Sequence, residues 1–531
     1  MGLLCGAMAT TAALAAPAMG GDTPLPDALK ASLRASGLSE ASVSVLAFRL
    51  DGPVAAEPPA EPTLIQHRAR QARPVASVMK LFTTGAALLQ AGPAASWQTD
   101  TGLRGTLDAQ GQLKGDLWVR GSGDPALVTE RVLQMMVRWQ AAGLRHIGGD
   151  LVLDRTAFDL PPHDAAAFDG AALKPYNAGP DALMVNQQAV TLRLAPDVAR
   201  PGQWRLSMEP PLAGVSVVNQ VQPLALPARA NPDACVAGDW REALTLEMAP
   251  QAGAPPSHGL RPWQVVLRGK LPLGCGLREW PVLWLGDGPG DHAARSLLAS
   301  WQALGGTLAG QVRQAPWPAE LPVWQRWRSP PLSAVVVDIN KYSNNVMARQ
   351  VMLSLPTWSG ASTNAPSPAP APAPALASGA ASLPPPPATL PQAREALRQT
   401  VSRLTTDADG SGPCTPAAWQ VDNGSGLSRD ELTSAACLGR WLQVMWRSPV
   451  MPEWLASLPV VGVDGTTRRW TGGAAGQAHI KTGSLDGVAT MAGVVDARSG
   501  TRWAVVALGQ HPQEAALRGW YGQLLAWLAA Q

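Results

Sequence analysis

The sequence predicts an α+β protein in which one antiparallel sheet, covered by helices, is interrupted by a long β-rich insertion. Both ends of the chain carry an amphipathic helix next to alternating apolar segments, which is the first observation behind this prediction. Between them, short apolar runs separated by Gly, Pro and Asp turns dominate a long middle region. Three short polar motifs, far apart in the chain, also fall on helix-like, turn-like and strand-like segments.

Five segments near the chain ends have the periodicity of regular structure. They are a helix at 25–36, strands at 42–50, 491–496 and 501–508, and a closing helix at 512–530. We expect the two ends to build one sheet covered by the terminal helices. The sequence therefore predicts a discontinuous domain formed by residues 22–98 and 322–531.

The middle of the chain has a different pattern of apolar and turn-forming residues from both ends. Residues 99–321 contain short strands, with helices at about 126–142 and 290–304, and predict β-rich inserted domains. Residues 357–392 are a low-complexity Pro/Ala/Ser tract that buries too little apolar surface to fold. We expect this tract to be a disordered loop within the discontinuous domain.

Composition excludes several classes of function. A formal net charge of +3 over 531 residues gives no indication of a nucleic-acid partner. The chain has no H-E-x-x-H motif and no paired C-x-x-C, so we expect neither a metal site nor a cofactor. No segment after the N-terminus is long and apolar enough to predict a transmembrane span.

The N-terminus indicates export. Residues 2–18 contain no charge, are dominated by Ala, Leu, Gly and Met, and end in Ala16-Pro17-Ala18, a small-x-small pattern that predicts a signal peptide over residues 1–18. We therefore expect a periplasmic protein. Four cysteines remain after the predicted cleavage, which suggests two disulfides in an exported chain. Order and spacing favour Cys235–Cys275 and Cys414–Cys437 among the three possible pairings.

The first motif is Ser77-Val78-Met79-Lys80, at the start of a helix-like segment. The chain has only seven lysines against 35 arginines, so a lysine in a polar motif suggests chemistry that arginine cannot perform. Lys80 lies three residues after Ser77 and therefore projects from the same helix face. Desolvation beside another cation would lower the pKa of this lysine and let it accept the serine proton.

The second and third motifs supply further polar groups. Ser343 and Asn345 lie between two apolar segments, so they are expected on a turn between two helices. Lys481-Thr482-Gly483 is expected on an edge strand, where its cation and hydroxyl could bind a carboxylate. The backbone N–H groups of Ser77 and Ser484 could form an oxyanion hole.

The order S-x-x-K, S-x-N, K-T-G resembles the penicillin-recognising serine enzymes. Within them the chain is most similar to the low-molecular-mass class C penicillin-binding proteins, which are D-Ala-D-Ala carboxypeptidases and endopeptidases. The long insertion after the S-x-x-K helix supports this resemblance, and so do three further signatures. These signatures are GDLWVRGSGDP at 115–125, DNGSGLSR at 422–429 and GVDGT at 462–466. The Pro/Ala tract departs from the family pattern.

The resemblance implies an acyl-serine mechanism. Ser77 would attack the carbonyl of a terminal D-Ala-D-Ala, or of a D-Ala–diaminopimelate cross-link, and water would then hydrolyse the acyl-enzyme. Lys80 would be the general base, and Ser343 with Lys481 would pass the proton to the leaving group. Asn345 would orient the substrate amide. Peptidoglycan stem peptides are the implied substrates, and β-lactams would acylate the same serine.

The resemblance also implies which residues bind the substrate. Lys481 and Thr482 would bind the terminal carboxylate, and Gly483 would allow close approach of the backbone. Ser484 stands where the family usually has threonine. Asp154 is the best match to an aspartate of the inserted domain that holds the diaminopimelate side chain in relatives.

Two other functions remain open from the sequence. A β-lactamase would share the motifs, although compact β-lactamases lack an insertion between the first two. A wall-binding scaffold would keep the fold without chemistry, although the intact Ser77–Lys80 pair argues against it. The sequence does not determine the oligomeric state.

Overall fold

The computed structural model describes residues 22–50, 63–224, 235–236, 238–359, 386–407 and 409–531. The predicted signal peptide lies outside these residues, as does most of the Pro/Ala-rich tract. Within the described part of the chain, no helix is both long enough and apolar enough to cross a membrane.

The described residues form ten α-helices. These are α1 Asp27–Ala35, α2 Lys80–Ala91, α3 Thr129–Ala141, α4 Asp291–Ala303, α5 Leu332–Lys341, α6 Asn345–Ser359, α7 Leu390–Thr405, α8 Ala435–Trp446, α9 Met451–Ala456 and α10 Glu514–Ala529.

The described residues also form 23 strands. These are β1 Val43–Arg49, β2 Thr63–His67, β3 Ala72–Pro74, β4 Gln98–Leu107, β5 Gln112–Gly121, β6 His146–Ile147, β7 Leu151–Asp154, β8 Phe158–Asp159, β9 Ala189–Pro196, β10 Trp204–Glu209, β11 Val215–Pro223, β12 Leu244–Pro250, β13 Trp263–Leu271, β14 Arg278–Leu283, β15 Thr307–Leu308, β16 Val312–Gln314, β17 Gln325–Arg328, β18 Ala388–Thr389, β19 Trp419–Gln420, β20 Leu432–Ser434, β21 Ala478–Leu485, β22 Val488–Asp496 and β23 Arg502–Gln510.

The chain divides into two compact units. The first contains the described residues of Met1–Ala94, Leu332–Ser359 and Pro391–Gln531. The second contains those of Ala95–Pro331 and Gly360–Leu390. The domain boundaries predicted from the sequence, with one domain at 22–98 and 322–531 and inserted domains at 99–321, remain a prediction.

The first unit contains a five-stranded antiparallel sheet in the order β2-β1-β23-β22-β21. Strand β1 comes from the start of the chain and pairs with β23 from its end, with Val43 opposite Gly509. This pairing confirms the prediction that the two ends of the chain build one sheet. It also leaves β21, which carries the K-T-G motif, at an edge.

Helices cover both faces of this sheet, because successive side chains of a strand point to opposite sides. Val45 and Ala47 lie in a core with the apolar faces of α1 and α10. The alternate residue Leu46 points to the other face, where its side chain lies against Gly439 of α8. Helices α2, α5, α6 and α9 form a further group in the unit, which also contains α7 and a small sheet in the order β19-β20-β3. The α+β fold class is therefore confirmed.

The second unit is rich in β-structure. Its largest sheet has seven strands and contains β4, β5, β6, β7, β15, β16 and β17. Helices α3 and α4 share one apolar core with this sheet, including the fully buried Trp139 and Trp301. Two three-stranded sheets, β10-β9-β14 and β11-β13-β12, contribute to two smaller cores.

Both favoured disulfides are present. Cys235 pairs with Cys275 in the second unit, and Cys414 pairs with Cys437 in the first. Each therefore joins cysteines that are consecutive in the sequence after the predicted cleavage site.

The predicted bounds of the Pro/Ala-rich loop were too wide. Residues 357–359 belong to the last turn of α6. At the other end, Ala388 is buried in β18, which pairs with β8, and α7 begins at Leu390. Low-complexity composition does not predict where the tract ends, because the pairing and burial of Ala388 depend on residues elsewhere in the chain.

The packing of α1 against the sheet gives a stability prediction. Leu33 of α1 is fully buried in the core that α1 and α10 share with the sheet, so Leu33→Ala should cost about 2–5 kcal/mol through lost burial and a residual cavity. The neighbouring Arg34 is exposed, and Arg34→Ala should change the free energy of unfolding by at most about 0.5 kcal/mol. Urea denaturation of both variants measures the difference. Equal midpoints would contradict the assigned core.

Candidate active site

Ser77 lies in a short 3₁₀-helix, Ala76–Met79, that runs directly into α2. The preceding residue, Ala76, has φ of +46°, a conformation that residues with side chains rarely adopt. Two glycines pack against this strained step. A Cβ at Gly426 would lie 1.9 Å from the Ala76 carbonyl oxygen, and one at Gly483 would lie 2.7 Å from the Ser77 nitrogen. The nucleophile candidate is therefore held by backbone contacts that only glycine permits.

Lys80 is the first residue of α2 and is fully buried. Its Nζ donates to Ser77 Oγ at 2.9 Å and to Asn345 Oδ1 at 2.6 Å. A third hydrogen bond goes to the backbone carbonyl of Ser425. The amine thus joins residues from three distant parts of the sequence.

These partners determine what the amine can do when it loses a proton. A carbonyl oxygen and an amide oxygen can only accept hydrogen bonds, so Ser425 and Asn345 occupy two N–H groups. The remaining lone pair then faces Ser77, whose hydroxyl can donate. Burial, and next the positive charge of Lys481, lower the pKa of Lys80 well below its ordinary value. The arrangement is that of a base beside its serine.

A second lysine–serine pair comes from the other two motifs. Lys481 Nζ donates to Ser343 Oγ at 2.9 Å and to the Thr482 carbonyl at 2.6 Å. Burial lowers the pKa of Lys481 to about 7. Two buried lysines with depressed pKa values, each bonded to a serine hydroxyl, are therefore present in one unit.

The turn between α5 and α6 positions Ser343 and Asn345 as the sequence predicted. Ser343 has φ of +58°, which turns the chain sharply between the two helices. Asn344 Oδ1 accepts from the Met347 backbone N–H at 3.0 Å and so caps the start of α6. Asn345 begins α6, and its amide oxygen reaches Lys80.

The remaining predicted residues of β21 have mixed environments. Thr482 is half-buried, and its hydroxyl lies 2.8 Å from that of Thr466. Gly483 is buried against the start of the Ser77 helix. Ser484 is exposed, and its hydroxyl accepts from Arg518 at 3.0 Å.

Asp154 belongs to the second unit, at the end of β7. Its side chain is buried, and one oxygen accepts from the N–H and hydroxyl of Thr156. The other accepts from the Trp317 N–H at 3.0 Å. These contacts are those of a carboxylate that closes a turn, and the substrate-binding role of Asp154 remains a prediction.

The structure adds residues to which the sequence gave no role. The Ser425 carbonyl is the third acceptor for Lys80 and comes from the DNGSGLSR signature. Lys341 makes an ion pair with Asp464 and donates to the Leu458 carbonyl, which ties α5 to the GVDGT signature. The signatures were visible in the sequence, but a backbone carbonyl carries no side-chain signal.

The comparison with protein-family models decides the family. A model of the D-Ala-D-Ala carboxypeptidase 3 (S13) family matches residues 52–245, 251–365 and 387–531. The chain belongs to this family. It is a serine-type D-Ala-D-Ala carboxypeptidase, and the enzyme class inferred from the three motifs is confirmed.

Two relatives illustrate the similarity of this S13 peptidase to known proteins. A D-alanyl-D-alanine carboxypeptidase of Actinomadura sp. (strain R39) is 28% identical over 452 residues, which cover 80% of this chain and 71% of that protein. The crystal structure of penicillin binding protein 4 from Haemophilus influenzae matches with a TM-score of 0.68 and 18% identity. That match covers 95% of this chain and 99% of the other, and it shows the shared fold.

Gly426 offers a test of the contacts around Ala76. Its φ is +82°, and a Cβ there would collide with the Ala76 carbonyl. Gly500 has φ of +83° and nothing within 4 Å of the corresponding position. Gly500→Ala should therefore cost about 1–2 kcal/mol for backbone strain alone. We expect Gly426→Ala to cost more and to slow the D-Ala-D-Ala carboxypeptidase reaction, measured by thermal melting and by release of D-Ala. Equal effects in both variants would contradict the assigned contact.

Proposed function

We propose that this S13 peptidase acts outside the cytoplasm on peptidoglycan stem peptides, as both carboxypeptidase and endopeptidase. Its substrates would be the terminal D-Ala-D-Ala of a stem peptide and the D-Ala–diaminopimelate cross-link between two stems. The observation that carries the proposal is the contact of the buried Lys80 amine with Ser77 Oγ at 2.9 Å. Such a pair has the nucleophile and base needed for acyl transfer.

Acylation begins with transfer of the Ser77 proton to the neutral Lys80 amine. Ser77 Oγ forms a bond to the carbonyl carbon of the penultimate D-Ala, and the carbonyl oxygen becomes an oxyanion. Backbone N–H groups of Ser77 and Ser484 would stabilise that oxyanion. The approach of Gly483 to the Ser77 nitrogen supports this part of the proposal.

Collapse of the tetrahedral intermediate breaks the peptide bond, and the leaving amine needs a proton. Ser343 Oγ accepts a hydrogen bond from Lys481, so its own proton is free to be donated to the amine nitrogen. The serine would be reprotonated with the proton that Lys80 took from Ser77, which returns Lys80 to its neutral form while Lys481 keeps its charge. Water then attacks the acyl-enzyme, with Lys80 again as base, and Ser77 is regenerated.

Substrate binding would use the edge strand β21. Lys481 in its protonated form and the Thr482 hydroxyl would bind the free carboxylate of the C-terminal residue. Asn345 would hold the substrate amide while its Oδ1 keeps the contact with Lys80. An edge strand also leaves backbone groups available for pairing with an extended peptide.

The proposed location is the periplasm, where the substrate lies. Two disulfides support export, because such bonds persist in oxidising compartments. β-Lactams are proposed to acylate Ser77 because they mimic the dipeptide. The H. influenzae penicillin binding protein 4, which has the same fold, has been crystallised in complex with a β-lactam, which supports binding of this class of compound.

Acylation by a penicillin tests the nucleophile. Intact-mass spectrometry should find one adduct per molecule, mapped to Ser77 and absent from Ser77→Ala, because the reaction forms a stable ester with this hydroxyl. Ser499→Ala, which changes an exposed serine in the β22–β23 turn, should leave the adduct unchanged. Rapid loss of the adduct with turnover of the antibiotic would favour a β-lactamase instead.

The same variants separate the proposed substrates. Wild-type protein and Ser499→Ala should release D-Ala from a pentapeptide and convert purified cross-linked muropeptide dimers to monomers, as measured by liquid chromatography. Ser77→Ala should do neither. D-Ala release without dimer cleavage would restrict the enzyme to carboxypeptidase activity.

The pKa of Lys481 gives a pH prediction. Its charge is present below about pH 7 and is lost as the pH rises through that value. Therefore kcat/KM for a peptide with a free terminal carboxylate should fall above about pH 7, since this ratio reports the free enzyme. In Lys481→Arg the fall should disappear, because arginine stays protonated, although the rate will be lower. Lys30→Arg on α1 is the control, and an unchanged alkaline limb in Lys481→Arg would contradict the assignment.

A further inference from the structure

Glu431 is a fully buried carboxylate outside the three motifs, next to the start of β20. Its Oε1 accepts from the backbone N–H groups of Asp422 at 3.1 Å, Asn423 at 3.0 Å and Gly424 at 2.7 Å. Its Oε2 accepts from the N–H of Gly426 at 2.7 Å. One carboxylate therefore gathers four N–H groups of a single segment, Asp422–Gly426, named here the Gly424 loop.

The Gly424 loop in turn holds the start of α2. The Gly424 carbonyl accepts from the Thr83 hydroxyl at 2.6 Å. The next carbonyl in the loop, that of Ser425, accepts from Lys80 Nζ. These carbonyls can face α2 because the N–H groups of the loop are turned toward Glu431. The Gly424 loop thus connects the Glu431 carboxylate to the amine of Lys80.

The backbone of Glu431 also contacts the segment before the nucleophile. Its carbonyl accepts from the Val75 N–H at 3.1 Å. The following strand, β20, pairs with β3, with Leu432 opposite Pro74. A single residue therefore fixes both the approach to Ser77 and the loop that binds Lys80.

Several charges face this buried group. The charge of Glu431 interacts favourably with the cations of Lys80 and Arg349. The nearby carboxylate of Asp422 repels it and so raises the pKa of Glu431. Burial raises the pKa of Glu431, while the N–H bonds oppose that rise. The negative charge in turn raises the pKa of Lys80 against the larger lowering by burial and Lys481.

We infer that Glu431 is a positioning residue that holds the proposed general base Lys80 in place through the Gly424 loop. This inference rests on the proposed role of Lys80. A carboxylate supplies two acceptor oxygens for the four N–H groups, and an amide of the same shape supplies only one. Glutamine at 431 would place an NH₂ group against backbone donors and release part of the loop.

The test compares Glu431→Gln with wild type by the second-order rate constant for acylation with a fluorescent penicillin. The acylation rate constant, corrected for the fraction of molecules that penicillin can label, should fall about a hundredfold. A shift of the base by about 1 Å has effects of this size. The rise of the rate with pH should move to lower pH, because loss of the nearby anion favours the neutral amine of Lys80. A purely structural role would change neither quantity per active site.

Two further variants control the comparison. Glu395→Gln makes the same chemical change at an exposed position on α7 and should leave rate and pH profile unchanged. Glu431→Asp keeps the negative charge but cannot reach all four N–H groups. Its acylation rate should fall, while the pH dependence stays near that of wild type.

The outcomes separate the inference from the proposed function. Wild-type protein that forms no adduct at Ser77 would overturn the proposed function and the inference with it. With wild type acylated, a folded Glu431→Gln of normal rate and pH profile per active site would overturn the inference alone. If Glu431→Gln gives no folded protein, Glu431→Asp decides, and a wild-type rate in that variant would overturn the inference.

Discussion

The burial of the Lys80 amine is the constraint on which the structure around the candidate active site depends. A buried amine that lacked partners would be costly, so the fold must bring acceptors to it. Here they come from Ser77, from Asn345 at the start of α6 and from the carbonyl of Ser425. The helix, the turn and the loop that meet at this point are thereby fixed relative to one another. The same desolvation that demands these partners also lowers the pKa of Lys80, which favours the neutral amine that its proposed role as a base requires.

The antiparallel sheet supplies the other half of the site. Its strand order places β21 at an edge, where Lys481 is buried at the start of the K-T-G motif and Ser484, the residue after the motif, is exposed. Strain accompanies this assembly, since Ala76 and Ser343 both have positive φ. Such conformations cost about 1–3 kcal/mol each and persist where the surrounding packing determines them. In this protein they lie next to the serine of the first motif and at the serine of the second.

Much of the fold was predictable because its periodicity is local. The helix around Leu33 and the strand through Val45 have patterns that a short window reveals, and both formed within one or two residues of their predicted bounds. The two disulfides are the pairing that cysteine order and spacing favoured among the three possible ones. The C-terminal edge of the Pro/Ala-rich tract was not predictable, since Ala388 lies in a strand whose partner is far earlier in the chain.

The sequence by itself determined the candidate reacting groups: serines, lysines and an amide at motif spacings, whose chemistry is intrinsic to the side chains. Only the tertiary structure decided how those groups are supported. The Ser425 carbonyl and the four N–H groups around Glu431 belong to the backbone, which is chemically the same at almost every residue. Their role depends on the direction in which the chain turns. That direction acquires a role only because the fold brings the Ser425 carbonyl to Lys80, which is 345 residues away in the sequence.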